Sequence, residues 1–184
     1  MADLNQMTLY HYCHKSCRPF HNIMRLPKAE AFRLARELAE KNPQTTAFYR
    51  FADFENYYSR RMWTDVLLHE RFTRLGGRPE QKHPLFFTLG GSNFLDRWFD
   101  CGTVYGLPLA AIPDDAVSFT IGDSCAAAER GKEAIFLTKA QLADVLYTDP
   151  ATAETFLRET GQSCTYIEAQ LWQDAGLAYA YRVR

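Results

Sequence analysis

Near the far end of the chain, Tyr166-Ile167-Glu168-Ala169-Gln170-Leu171-Trp172 is rich in strand-forming side chains. Strand alternation puts Glu168 and Gln170 on the same face as Tyr166 and Trp172. A carboxylate among large aromatics has two outcomes. It lies on the wet side of a sheet, where most carboxylates are found. Or it is held in a cleft, where it can hydrogen-bond a sugar hydroxyl or stabilise a developing cation. Both readings stand on the sequence alone.

The densest run of potential metal ligands is His11, Cys13, His14, Cys17 and His21. Thiolate and imidazole are the ligands zinc prefers, but these spacings match no standard finger. On a strand, His11 and Cys13 point one way and Tyr12 and His14 the other, so only part of the run can converge. A strand end with a satisfied histidine is the plainer reading. Ser92, after Gly90-Gly91, has Phe94 where a nucleophile elbow needs its second glycine, so hydrolase chemistry finds no support. Asp123-Ser124 sits at the end of an apolar strand, a place for ligand-binding groups and equally for a helix cap. Arg60, Arg61, Arg71, Arg74, Arg78, Lys82 and His83, with Tyr57, Tyr58 and Trp63 nearby, offer a nucleic-acid contact surface or the solvated side of an amphipathic helix.

The elements that must position these residues are legible in outline. Thr8 to Tyr12 reads as a strand, Pro27 to Lys41 as a helix with Phe32, Ala35, Leu38 and Ala39 on one face. A long helix runs from Asp53, as N-cap, to Leu75, where Gly76-Gly77 ends it. Its expected apolar stripe is Tyr58, Met62 and Val66, extended by Leu68, Phe72 and Leu75. Thereafter the period becomes extended: strands over 84–89, 103–109, 116–121 and 133–137, one or two helical turns over 92–99, helices over 138–147 and 150–159, and a last strand over 164–172. Helices early and strands late, without regular alternation, predict an α+β fold: a helical N-terminal half packed on a mixed or antiparallel sheet formed mostly by the C-terminal half.

The chain has 184 residues, a size for one domain, and no linker or repeat divides it. A formal net charge of −1 argues against non-specific coating of nucleic acid or anionic membrane. No run reaches the roughly 18 apolar residues of a membrane span, and Met1 to Asn5 shows no export signal. The expectation is a cytoplasmic chain whose five cysteines are mostly apolar filler. Gly-x-Gly-x-x-Gly and phosphate-loop signatures are absent, which removes the commonest nucleotide-binding routes.

The order of segments resembles the DNA-modifying ADP-ribosyltransferase toxins of bacterial toxin–antitoxin systems. Leu9-Tyr10-His11-Tyr12 is similar to their first strand, Pro84-Leu85-Phe86-Phe87 with Gly90 to Leu95 to their Pro-aromatic strand and cofactor-wrapping segment, and Phe119 to Ala127 to a later strand with its polar turn. Glu168 matches the position of the family's catalytic glutamate. The resemblance implies NAD in a cleft floored by these strands, with His11 orienting the cofactor, Tyr12, Ser92 and Asp123 nearby, and Glu168 stabilising the oxocarbenium-like state as nicotinamide leaves. The alternative is a non-catalytic module that binds protein or nucleic acid through the 53–75 helix.

Overall fold

The computed structural model describes residues 4–147, 155 and 165–184. Its strands are β1 (Thr8–Cys13), β2 (Leu85–Leu89), β3 (Thr103–Pro108), β4 (Val117–Ile121), β5 (Phe136–Thr138), β6 (Ile167–Leu171) and β7 (Tyr181–Arg182). They form one sheet in the order β5-β4-β6-β2-β1-β3-β7, every neighbouring pair antiparallel. The helices among the described residues are α1 (Lys28–Lys41), α2 (Phe54–Arg74), α3 (Asn93–Trp98), α4 (Ser124–Glu129) and α5 (Lys139–Tyr147). The fold is α+β. The helical half is not a separate layer, however: β1 lies inside the sheet, between β2 and β3. The helix expected over 150–159 falls, apart from Thr155, outside the described residues.

Register gives the sheet two unlike faces. Residues opposite each other in an antiparallel pair share a face. Leu9, Leu85, Phe87, Val117, Phe119, Ala169 and Leu171 point to one side, where they meet Leu109, Ile112 and Leu142 in the main core. α5 supplies Leu142, and its start is secured by a capping box in which Thr138 Oγ1 accepts from Gln141 N–H while the side-chain Oε1 of Gln141 accepts from Thr138 N–H. The other face carries Tyr10, Thr88, Glu168 and Thr120 in one row and Phe86, Gln170 and Ser118 in the next.

α2 packs on that second face. Leu68 and Phe72 bury against Trp172 and Phe136, each large side chain contributing about 1.5–3 kcal/mol by leaving water. The helix ends where expected: Gly76 adopts φ +91° and Gly77 N–H donates to Phe72 O. Its buried stripe differs from the sequence expectation. Phe54, Arg61, Asp65, Leu68 and Phe72 face inward, whereas Val66 and Leu75 are exposed. Two charged residues occupy the centre of the buried face, so hydrophobic periodicity selects a neighbouring stripe. Asp53 is also not a side-chain cap; its carboxylate accepts from Asn56 Nδ2 instead.

Candidate active site

Glu168, the second residue of β6, is 5% exposed. Two directed chains of hydrogen bonds end on its Oε1. In the first, Trp172 Nε1 donates to Ser118 Oγ at 2.8 Å, Ser118 Oγ to Gln170 Oε1 at 2.8 Å, and Gln170 Nε2 to Glu168 Oε1 at 2.9 Å. In the second, Arg61 donates to Ser124 Oγ at 3.2 Å and Ser124 Oγ to Glu168 Oε1 at 2.6 Å. Thr120 Oγ1 lies 3.4 Å from the same oxygen. Strand alternation supplies Ser118, Thr120 and Gln170 on this face; Ser124 opens α4 directly after β4.

Burial pushes the Glu168 carboxyl up to about 7, and the negative charge of Asp123 adds to that rise. Arg61 and the hydrogen bonds from Ser124 and Gln170 pull it back without overcoming the desolvation. Arg61 itself stays charged: burial acts against it, but Asp65 and then Glu168 raise its affinity for the proton. Burial also pushes the Tyr166 and Tyr57 phenols well up, so both remain protonated hydrogen-bonding groups.

A cavity of about 460 Å³ opens beside Glu168, with Arg50, Tyr57, Arg61, Asp123 and Tyr166 in its wall. Volumes of this order are typical of small-molecule sites. β1 and β2 pair only at Leu9↔Leu89 and Tyr10↔Thr88, so beyond Tyr10 the strands part. The cavity reaches into the gap and therefore takes in residues of both faces, Phe87 on one and Phe86 on the other.

Of the residues expected to hold the cofactor, His11, Tyr12, Asp123 and Glu168 border this cavity and Ser92 does not; the Cys13, His14, Cys17 and His21 run borders it as well. His11 and Glu168, expected to face one cleft, both border the cavity, but from opposite faces of the sheet. Tyr10, not His11, shares the face of Glu168, and the His11 ring packs among Phe20 and Phe87 on the opposite face. Both its nitrogens serve backbone: Nδ1 lies 2.9 Å from Phe86 O, and Phe20 N–H donates to Nε2 at 3.3 Å. His11 thus bridges β1 to β2 where ladder bonds have stopped. Ser92 is corrected too: its Oγ caps α3 by accepting from Leu95 N–H, and its own N–H donates to Tyr12 Oη at 2.6 Å. Ser92 fixes Tyr12 at the cavity edge without reaching it. Asp123 serves twice, capping α4 through Oδ1 while Oδ2 lies 3.6 Å from Arg50.

The cysteine–histidine run borders the same cavity but is engaged mostly with the chain around it. Cys13 Sγ points to the carbonyls of His14 and Cys17, and His14 accepts from Ser16 N–H while its other nitrogen lies 3.5 Å from Asp100. Among the described residues no three His, Cys, Asp or Glu side chains converge as a metal site. The basic run on and after α2 is interspersed with acidic and aromatic neighbours, although Arg74 and Arg78 remain largely exposed. Arg60 pairs with Glu129, Arg71 lies over the Phe136 ring, Arg74 is 3.9 Å from Glu70 and Arg78 3.6 Å from Asp115. No helix among the described residues is long and apolar enough to cross a membrane.

Sequence reasoning missed Arg61, Asp65 and Arg50 as parts of the site. A signal existed for the first two: an Arg and an Asp four apart, in phase with Leu68 and Phe72, on the helix face that must be buried. Arg50 comes from a 3-10 segment (Thr46–Asp53) with no pattern pointing to the cavity. Searches against protein-family models, curated proteins and solved structures return no match to this chain.

Proposed function

We propose that the cavity binds NAD and that the chain cleaves its nicotinamide–ribose bond, as an ADP-ribosyltransferase-like or glycohydrolase enzyme. The observation that carries this reading is Glu168: a buried strand carboxylate whose Oε1 is held by directed donors at 2.6 and 2.9 Å, beside a cavity of about 460 Å³. As the C1′–N bond breaks, its electron pair leaves with nicotinamide and positive charge develops on the ribose. A carboxylate already fixed in a dry wall stabilises that charge without reorganising. An acceptor group or water then bonds to C1′ and loses its proton. Arg50 gives the cavity a cation suited to the negative pyrophosphate, with Tyr57 and Tyr166 as planar walls. The ionised form of Glu168 is the competent one, so turnover rises as pH passes through about 7.

Thermal unfolding with and without NAD tests this. A ligand at one hundred times its dissociation constant adds about 2.7 kcal/mol, which for a domain of this size raises the midpoint by about 5–10 °C. The expected result is such a rise, together with nicotinamide release that is lost in Glu168→Gln. No shift at millimolar NAD overturns the proposal.

A further inference from the structure

The strongest feature that the cleavage chemistry does not itself use is the pair of charges buried under Glu168. Asp65 is fully buried and Arg61 nearly so, at 0% and 4% exposed. Buried charges are expensive unless paired and fully bonded, and here every group has a direction. Asp65 Oδ1 accepts from Arg61 Nε at 2.6 Å, and Oδ2 lies 2.7 Å from His83 Nδ1. Both carboxylate oxygens are therefore committed. The guanidinium is also stacked over the Phe86 ring, 4.5 Å from its centroid. Held on two sides, it directs Nη2, which also lies 2.6 Å from Asp65 Oδ1, at Ser124 Oγ, 3.2 Å away.

That arrangement decides what Ser124 does. A hydroxyl has one proton to give and accepts with its oxygen. Because Arg61 donates into the oxygen, the proton is directed to the other neighbour, Glu168 Oε1 at 2.6 Å. An ionised carboxylate is acceptor-only, so a donor locked toward it favours the charged form. It also assigns one oxygen to the wall and leaves the other for the cavity.

We propose that Arg61, clamped by Asp65 and acting through Ser124, is a positioning residue that favours the ionised form of Glu168 and sets which of its carboxylate oxygens faces the cavity. The geometry stands by itself; its catalytic meaning rests on the NAD reading above. Other charged and titratable groups acting on Glu168 are Asp123, Cys125 and Tyr166.

The test is a carboxyl-carbon NMR titration of the full chain carrying 13C-labelled glutamate, without nucleotide, with the Glu168 resonance identified by its loss in Glu168→Gln. In Ser124→Ala and in Arg61→Gln the Glu168 midpoint is expected to rise by about one pH unit or more above that of the native protein. Arg61→Lys, which keeps the charge but not the fork that spans Asp65 and Ser124, is expected to raise it less, and it substitutes if Arg61→Gln does not fold. Native midpoints in all variants overturn the proposal. A rise in Ser124→Ala alone also overturns it, since Ser124 would then act without Arg61. Failure of NAD to bind would leave these midpoints unchanged, so the titration and the nucleotide experiments fail separately.

Discussion

Replacing Glu168 by glutamine should make the protein more stable at alkaline pH, and the sign of that change separates a functional carboxylate from a structural one. The carboxyl titrates near 4.5 in an ordinary setting and near 7 in the fold. Between these values the folded state binds more protons than the unfolded state, so stability falls as pH rises through this window and levels off above it. The difference of 7 − 4.5 = 2.5 pH units corresponds to about 3 kcal/mol. Glutamine is close in shape, keeps an oxygen for Ser124 and Gln170, and carries no charge to desolvate. Arg61 is not orphaned by the change, because Asp65 still pairs with it. Urea unfolding at pH 8 is expected to show Glu168→Gln more stable than the native protein by up to about 3 kcal/mol, equivalent to a midpoint about 6–12 °C higher in a thermal scan. At pH 5 the gap should shrink below about 1 kcal/mol, since the folded carboxyl is then protonated. A native protein more stable than Glu168→Gln at pH 8 would refute the reasoning. It would mean that the donors around Oε1 outweigh the desolvation and that Glu168 is a stabilising buried ion.

Two further outcomes follow from the packing. Asp65→Ala leaves the Arg61 charge buried without its partner and is expected to cost about 3–5 kcal/mol in urea unfolding, whereas Arg61→Leu with Asp65→Leu recovers most of that loss; a double variant as unstable as the sum of its single changes would show that the pair is not the unit. Gly102→Ala places a methyl group on the Cys13 carbonyl oxygen and close to the His14 Cα, main-chain atoms that cannot swing away. It is expected to cost about 1–3 kcal/mol, and an unchanged urea midpoint would show that the end of β1 can move aside.

The core of the fold was legible because it obeys one rule. β2, β4 and β6 have apolar side chains at alternate positions that meet on one face, and each is visible in the sequence within a few residues: β2 as a short apolar run closed by Gly90-Gly91, β4 after the turn at Pro113, and β6 by alternation. The strand expected over 164–172 is Ile167–Leu171, the one expected over 133–137 is only Phe136–Thr138, and β7 (Tyr181–Arg182) was not anticipated. The strand order was not legible. Nothing local says that β1, from the start of the chain, inserts between β2 and β3, because that choice is made by contacts nearly a hundred residues apart, such as Tyr10 with Gly106.

The site was legible where strand alternation governs and hidden where a helix delivers charge. Glu168, Gln170 and Trp172 could be set on one face from the sequence because β-alternation holds for polar and apolar residues alike. Helix α2 could not be read that way, since the test for its buried face was hydrophobicity and that face carries Arg61 and Asp65 at its centre. His11 shows the converse error: its residue type suggested a ligand, but strand parity from Glu168 through Thr88 to Tyr10 puts its ring on the opposite face. Parity can be counted only once the strand order is known. A buried polar stripe on an otherwise amphipathic helix violates the packing rule for a reason, and the reason here is the carboxylate it faces: without Arg61, Ser124 has no fixed orientation, and the desolvation of Glu168 would be opposed chiefly by Gln170. The charges that obscure α2 in the sequence are thus the same ones that let β6 carry an ionisable group in a dry wall.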